Sequence, residues 1–330
     1  LTRQTFLTHV KRTKVARKRY YQDKPLSDEE VKNDMLAFRI RYEVSETADW
    51  MERIGRQFDP VVAKAKTADD AAEAIFVWMS ENLEITGKSL GYKLPLRGDV
   101  EAVKVLKNKN GTEIDLAIFG VSALRASGVA ARIVYAPALR GEVGGKVWLE
   151  YLGEDRVWRS WVTSFGCRFG GQEMDVSLNR QEQVAPVTVR VAPAKALDHT
   201  AEIRKRLGDK IVLVMTRPED PKEITERYAE TANLEFKTDG QEVEISLMVF
   251  GRQGLMVARG NEVEEMKNER SVKVGKGLVV AAASFGNRSF ALLPIGIVRG
   301  TNLITVRAEN GGLSIQPPSE SISNNYRTDP

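Results

Sequence analysis

The first hundred residues show hydrophobic positions at helical spacing. Ser27, followed three residues later by Glu30, fits a capping box that opens a helix toward Phe38. A longer helix is predicted to start near Thr67 and to end at Gly87, because apolar side chains between them recur every three or four residues. Its apolar face comprises Ala72, Ile75, Phe76, Met79 and Leu83. The N-terminal part is therefore predicted to be mostly helical.

The pattern changes after Asn108. Residues 113–127 are apolar on nearly every face and lie between the turn and cap sequence of residues 110–112 and a stop at Gly128. A helix that is apolar all round must be buried. Runs rich in β-branched and aromatic residues follow at 132–136, 146–152 and 157–162. A buried helix that leads into an antiparallel sheet predicts an α+β fold.

After about Val184 the chain consists of short strand-like runs separated by turns such as Asp239-Gly240, at the spacing typical of β-sandwiches. The predicted strands are 187–191, 211–215, 232–236, 243–250, 255–259, 277–283, 290–298 and 303–307, with a helical insertion at 194–207. We therefore predict a helical N-terminal segment (1–66), a helix-and-sheet core (67–183), a β-sandwich region (184–315) and a polar, proline-bearing, disordered tail (316–330).

Composition excludes several classes of protein. With 330 residues, 42% apolar and 28% charged, the chain has the composition of a soluble globular protein. No apolar run reaches the roughly 18 residues of a membrane-spanning helix. A single Cys (Cys167) and two His residues allow neither an internal disulfide nor a Cys/His zinc cluster, so no metal and no cofactor is predicted. The chain begins at Leu1 rather than Met, which leaves an upstream signal peptide or lipid anchor open.

The charge is distributed unevenly. The formal net charge of +4 is too small to indicate nucleic acid by itself. The first 22 residues, however, carry seven cations before the first acid, Asp23: Arg3, Lys11, Arg12, Lys14, Arg17, Lys18 and Arg19. They predict a basic helix with a thin apolar stripe that includes Phe6 and Val10. A solvated helix face is favoured, and binding to nucleic acid or to another anionic surface is kept as an alternative.

Four segments carry a connected motif: Gly111-Thr112-Glu113, the run from Leu124 to Arg132 (LRASGVAAR), Lys146-Val147-Trp148-Leu149-Glu150, and Trp158 to Val162. The motif resembles the transglutaminase-like, or papain-related, superfamily. In that family a Cys opens the buried helix, a His precedes the tryptophan of a following strand, and an Asp lies four residues after a later tryptophan. The resemblance places Glu113, Lys146 and Val162 at the Cys, His and Asp positions.

These replacements remove the family's chemistry from the inherited site. A carboxylate is a poor acyl nucleophile, and a lysine cannot shuttle protons near neutral pH unless its pKa falls by several units. We predict that Glu113 and Lys146 form an ion pair there, while a carboxylate pair of Glu113 with Asp115 is not favoured as a catalytic device. The retained cleft would be lined by Asp115, Trp148, Trp158, Trp161 and Cys167, although core packing is the favoured role of the tryptophans.

The resemblance therefore predicts a catalytically inactive binding or scaffold module whose partner is unknown, with an extended peptide or a glycan as the favoured ligand class. Residues 35–50 and 223–280 are similar to segments that flank the domain in bacterial surface or periplasmic members, which implies a periplasmic or extracellular location. One alternative is a cysteine hydrolase that uses Cys167, although this lone Cys and His199 are more simply interpreted as a small hydrophobe and a solvated neighbour of a helix cap.

Overall fold

The chain is described by a computed structural model that covers residues 3–36, 40, 49–86, 101–142, 144–165, 168–169, 172–173, 189–191, 198–216, 222–238, 244–252, 254–259, 271–285, 289–298, 300–309 and 312–316. It forms two compact units. The first comprises Leu1–Tyr135, Val147–Thr200 and Thr216–Pro221, and the second comprises Ala136–Lys146, Ala201–Met215 and Lys222–Pro330. The domain boundaries drawn from the sequence stay predictions.

The first unit holds most of the helices. These are α1 (Arg3–Tyr20), α2 (Asp28–Glu30), a π-helical turn (Val31–Leu36), α3 (Trp50–Phe58), α4 (Ala68–Asn82), α5 (Ala102–Asn108) and α6 (Glu113–Ser127). Its strands are β1 (Glu84–Ile85), β2 (Asn110–Gly111), β3 (Ala131–Ala136), β4 (Lys146–Leu152), β5 (Trp158–Trp161), β6 (Arg168–Phe169), β7 (Gln172–Glu173) and β8 (Val189–Arg190). Strands β5, β4 and β3 are neighbours in one sheet, and β4 pairs with β5 in antiparallel orientation.

Helix α6 is the centre of this unit. It packs against α1, α3, α4 and α5, and nearly all of its side chains are buried, as the sequence predicts. Gly128 ends the helix with φ at 100°, in the left-handed region that favours glycine. A Cβ atom at this position would lie 2.8 Å from the carbonyl oxygen of Ala16, so the glycine also allows α1 to approach closely.

The capping box predicted at Ser27 is present, and α4 begins with a second one that was not predicted. The Ser27 hydroxyl accepts from the Glu30 main-chain N–H, and Thr67 forms the same arrangement with Asp70 at the start of α4. Helix α4 ends at Asn82 rather than at Gly87, because Leu83 adopts an extended conformation and the chain continues into β1. The predicted end of this helix was therefore wrong by five residues.

The second unit is built mainly of strands, with helix α7 (Thr200–Leu207) near its start. Short β9 (Met215–Thr216) and a 3-10 turn (Thr225–Arg227) precede the long strands β10 (Thr231–Thr238), β11 (Glu244–Gly251), β12 (Gly254–Arg259), β13 (Ser271–Gly275), β14 (Gly277–Phe285), β15 (Ser289–Ile297), β16 (Thr301–Glu309) and β17 (Gly312–Gln316). These form two four-stranded sheets, ordered β13-β10-β16-β17 and β12-β11-β14-β15. Their pairs are antiparallel except β10 with β16.

The fold class predicted from the sequence is confirmed: helices with an antiparallel sheet are followed by further, mostly antiparallel sheets. Three strand or helix predictions need correction. Residues 211–215 form one bridge residue and the start of β9 rather than a strand, α7 begins at Thr200, and β13 and β17 were not predicted. The tail beyond Gln316 lies outside the described residues.

Candidate functional site at the start of helix α6

The start of α6 is set by local hydrogen bonds. The Thr112 hydroxyl accepts from the Asp115 main-chain N–H at 3.2 Å, while the Asp115 carboxylate accepts from the Thr112 main-chain N–H at 3.0 Å and from its hydroxyl at 2.8 Å. This capping box fixes where the helix begins. Asp115 is only 5% exposed, so its carboxylate serves the cap rather than an open cleft.

Glu113 is the first residue of α6, and the resemblance predicts that it occupies the position of the family's nucleophile. Its side chain is 2% exposed, and one carboxylate oxygen accepts a hydrogen bond from the hydroxyl of Ser164, itself 3% exposed. Ser164 follows β5 after two residues. The positive end of the helix dipole adds to the stability of a carboxylate at this position. Glu113 is thus a buried carboxyl group held by the protein's own groups.

Lys146 begins β4 and is 4% exposed. Both members of the ion pair expected from the sequence, Glu113 and Lys146, are therefore buried charged residues, as that hypothesis requires. The contact between their charged atoms stays a prediction. A buried charge needs a partner or several hydrogen bonds, because transfer from water without compensation is costly.

Val162, at the position of the family's Asp, is buried and contacts an imidazole. Its main-chain N–H donates to Nδ1 of His199 at 3.0 Å, and the His199 main-chain N–H donates to the carbonyl oxygen of Ser160 at 2.7 Å. His199 is 8% exposed, and its ring lies 6.2 Å from that of Trp161. The interpretation of His199 as a solvated residue was wrong.

Asp198 explains how His199 is held. One carboxylate oxygen of Asp198 accepts from the Ser160 main-chain N–H at 3.1 Å and from the Thr200 main-chain N–H at 2.9 Å. The hydroxyls of Ser160 and Thr200 also lie 3.0 Å apart. Asp198 therefore ties the start of α7 to β5 across 38 residues of sequence. The Asp-His-Thr sequence signals a helix cap, but nothing local identifies its partner strand.

The tryptophans predicted for the cleft have different environments. Trp148 and Trp161 are 1% and 0% exposed, and the Trp161 ring stacks on Phe76 with 4.2 Å between the ring centroids. These two rings pack in the core, so the cleft assignment fails for them in this structure. Trp158 is half-buried, and its ring is covered by the guanidinium of Arg132 at 3.8 Å. Cys167 lies outside the described residues.

Arg132 is held in place by a second interaction. Its guanidinium lies 2.6 Å from the carboxylate of Glu150, a residue that is fully buried. Because Arg132 both pairs with this carboxylate and covers the Trp158 ring, the exposed part of that ring is restricted to its edge and far face.

Among the described residues, no group of three or more His, Cys, Asp or Glu side chains is arranged to hold a metal ion. Across those residues, too, no helix is both long and apolar enough to cross a membrane. The polar side chains at the start of α6 interact with one another through hydrogen bonds and with the dipole of that helix.

Three solved structures are distantly similar to the chain. A candidate cysteine protease from Cytophaga hutchinsonii is 10% identical, with a TM-score of 0.31, and the match covers 85% of this chain and 60% of that one. A candidate protease from Parabacteroides distasonis is 9% identical (TM-score 0.34; 68% and 37% covered). The transglutaminase of red sea bream is 10% identical (TM-score 0.29; 78% and 59% covered). The chain spans less than two thirds of each of these proteins.

No curated protein matches the chain at a significant level. The family model of the transglutaminase-like superfamily, in contrast, matches residues 56–162. The matched segment contains α4, α5, α6 and strands β3 to β5, and it ends at Val162, the residue that the motif comparison predicts to replace the Asp. The resemblance inferred from the motifs is therefore confirmed, and the chain carries a transglutaminase-like domain at residues 56–162.

Proposed function

We propose that this protein is a catalytically inactive member of the transglutaminase-like superfamily that acts as a binding or scaffold module. The observation that supports this most directly is the buried Glu113 at the first residue of α6, with its carboxylate engaged by Ser164. In this superfamily the reaction depends on a thiolate at that position. A carboxylate there cannot form the thioester on which the family's acyl transfer depends.

The surroundings of Glu113 support inactivity independently of the missing thiol. A nucleophile must reach the substrate, yet the side chain at position 113 is 2% exposed. The resemblance places Lys146 at the His position, and a lysine does not replace an imidazole as a proton shuttle near neutral pH. The resemblance places Val162 at the position of the acid that would orient the catalytic imidazole. Val162 has no carboxylate, and its main-chain N–H donates to Nδ1 of His199.

We further propose that the ligand is an extended peptide or a glycan and that the protein acts outside the cytoplasm, in the periplasm or at the cell surface of a bacterium. The domain has a buried helix and an antiparallel sheet, and we propose that the cleft of the superfamily is retained beside them as a shallow groove. The half-buried Trp158 at the edge strand β5 supplies an aromatic edge of the kind that both ligand classes use.

Amide hydrolysis and amine incorporation assays test the proposed inactivity. We expect no turnover by the wild-type chain and no change in Cys167→Ala. Turnover that survives Cys167→Ala but is lost in Glu113→Ala would contradict the inactive site. Rapid, pH-dependent labelling of Cys167 by a thiol-reactive probe, together with turnover lost in Cys167→Ala, would instead support the hydrolase alternative.

Peptide and glycan arrays test the binding role with the same chain. We expect binding to members of one array that weakens in Trp158→Ala, while Trp78→Ala, which alters an aromatic residue of α4 elsewhere in the unit, leaves binding intact. Equal loss in both variants would indicate general destabilisation rather than a ligand contact. Binding to neither array would remove the ligand class proposed here while leaving the inactive site standing.

A further inference from the structure

Helix α1 presents an exposed face that is rich in cations. Arg3, Lys11, Lys14, Lys18 and Arg19 are all exposed, and the sequence from residue 1 to residue 22 contains no acid. The helix has 18 residues, so at 1.5 Å per residue it is about 27 Å long. Five positive charges along one short helix form a concentrated electrostatic surface.

The buried side of α1 fixes the direction in which these charges point. His9, Thr13, Ala16 and Tyr20 are each less than 9% exposed and recur at helical spacing, and α1 packs against α3, α6 and the π-helical turn. Residues on the opposite side of the helix must therefore face solvent. Lys11, Lys14 and Lys18 are spaced by three and four residues and form one line on that side.

Apolar side chains lie among these cations. Leu7 is 38% exposed and Val15 is 76% exposed, and at helical spacing both belong to the same outward side as Lys11 and Lys18. We define the basic face as Arg3, Leu7, Lys11, Lys14, Val15, Lys18 and Arg19. Single exposed aliphatic residues are common on protein surfaces, so the cations identify this face and the two aliphatic side chains only add to it.

A cavity of about 660 Å³ opens beside the basic face. Lys11, Lys18 and Arg19 line it from α1, and the carboxylates of Glu52 and Asp59 line it from the side of α3. Arg12 pairs with both carboxylates, at 3.4 Å and 2.6 Å respectively, and Glu52 also pairs with Arg56 at 2.9 Å, so two guanidinium groups balance the two carboxylates. The charge that the cavity offers to a ligand is therefore that of the lysines and Arg19.

We infer that the basic face docks on a lipid bilayer that contains anionic lipids. The cations attract the negative headgroups, and the interleaved Leu7 and Val15 reach toward the boundary with the acyl chains. The cavity can accept one headgroup phosphate beside Lys11 and Lys18. Nucleic acid is disfavoured because single-strand binding uses a series of exposed aromatic platforms, whereas α1 exposes one such ring, that of Phe6 (53% exposed), and buries the other, that of Tyr20. This surface is independent of the site at Glu113.

Vesicle sedimentation tests the inference with the full chain. The probes are vesicles of phosphatidylcholine alone and vesicles with roughly 30 mol % phosphatidylserine. We expect binding only to the anionic vesicles, and weaker binding as the salt concentration rises. The variant Lys11→Gln/Lys14→Gln/Lys18→Gln should bind roughly 100-fold more weakly, because each lysine removed weakens binding by about fivefold. The control Lys64→Gln/Lys104→Gln/Lys107→Gln loses the same charge from other exposed positions and should bind within a few-fold of wild type.

Three outcomes would overturn the inference. They are equal binding to vesicles without phosphatidylserine, equal losses in the two triple variants, and tighter binding to a DNA duplex or single strand than to anionic vesicles at the same salt concentration. A Leu7→Ser/Val15→Ser variant keeps every charge, so a several-fold loss on vesicles supports insertion, and no loss argues against a bilayer as the partner. Unchanged helical circular dichroism in each variant shows that the lost binding is not lost folding.

Discussion

The burial of His9 makes a quantitative prediction about stability and pH. His9 is 4% exposed, its Nε2 lies 3.0 Å from the carbonyl oxygen of Leu36, and its ring meets that of Trp50 edge-on at 5.4 Å. Burial lowers the pKa of His9 from 6.5 to about 4, the hydrogen bond to Leu36 opposes this shift, and the positive charge of Arg125 adds to it. The folded protein therefore holds the neutral imidazole with the proton on Nε2.

The direction in which stability changes with pH depends on whether the folded or the unfolded chain binds the His9 proton more tightly. Below pH 6.5 the unfolded chain protonates its histidine while the folded chain does not, so the free energy of unfolding falls as the pH falls from 6.5 toward 4. The pKa difference corresponds to about 3 kcal/mol in full, of which about 2 kcal/mol is lost between pH 7 and pH 5. Above pH 7 the contribution of His9 is complete and constant.

The assay compares His9→Gln with wild type by urea unfolding at pH 7, 6 and 5. Gln keeps an N–H donor near the place of Nε2 but does not titrate. Only wild type loses stability through this residue as the pH falls, so the difference in the free energy of unfolding between wild type and His9→Gln should shrink by about 2 kcal/mol between pH 7 and pH 5. Thr13→Val, a change on the same buried side of α1, should show a deficit independent of pH. A His9→Gln deficit that stays constant across this range would refute the argument, because carboxylates titrate equally in both proteins.

Three further predictions concern stability alone. If Glu113 and Lys146 form an ion pair, Lys146→Ala should cost about 3–5 kcal/mol in urea unfolding and should destabilise more than Glu113→Gln/Lys146→Met, because the single change strands a buried charge; equal costs would contradict the pair. Gly128→Ala should lower the free energy of unfolding by at least about 1–2 kcal/mol, since φ is 100° and the added Cβ meets Ala16, and a neutral effect in thermal unfolding would be inconsistent with the left-handed conformation. Arg140→Lys should cost about 2–4 kcal/mol by the same measurement, because one guanidinium, whose pKa burial lowers to about 10, donates to four main-chain carbonyls; an unchanged stability would show that those bonds are replaceable.

Local signals account for the elements that the sequence predicted well. Thr112 with Asp115, Thr67 with Asp70 and Ser27 with Glu30 are capping boxes that form within four residues of chain, so no distant contact is needed to identify them. The apolar character of α6 on all its faces requires burial wherever the helix is placed. Both kinds of signal depend on chemistry that is complete within the segment itself.

The features that the sequence did not predict depend on distant partners. The buried side of α1 consists of His9, Thr13, Ala16 and Tyr20, which do not form an apolar stripe, so the pattern pointed instead to Phe6 and Val10. His9 and Thr13 tolerate burial because each has a hydrogen-bond acceptor. The carbonyl oxygen of Leu36 accepts from His9, and the sulfur of Met51 accepts from the Thr13 hydroxyl. His199 is buried for the same reason, because it bonds to Ser160 of β5 and to Val162 just after that strand, which lie 39 and 37 residues away in sequence.

The proposed inactive site depends on the three positions that the motif comparison assigns to the family's catalytic residues. In a cysteine enzyme the start of the buried helix must stay open to substrate, and the dipole of the helix lowers the pKa of a thiol there. Here the same dipole stabilises the Glu113 carboxylate, and Ser164 closes over one of its oxygens. Val162 contributes only its main-chain N–H, which holds His199 against β5. We therefore expect that Glu113→Cys/Lys146→His/Val162→Asp would restore little amide hydrolysis, because the new thiol would remain buried behind Ser164, and substantial turnover would show that the cleft is still open to substrate.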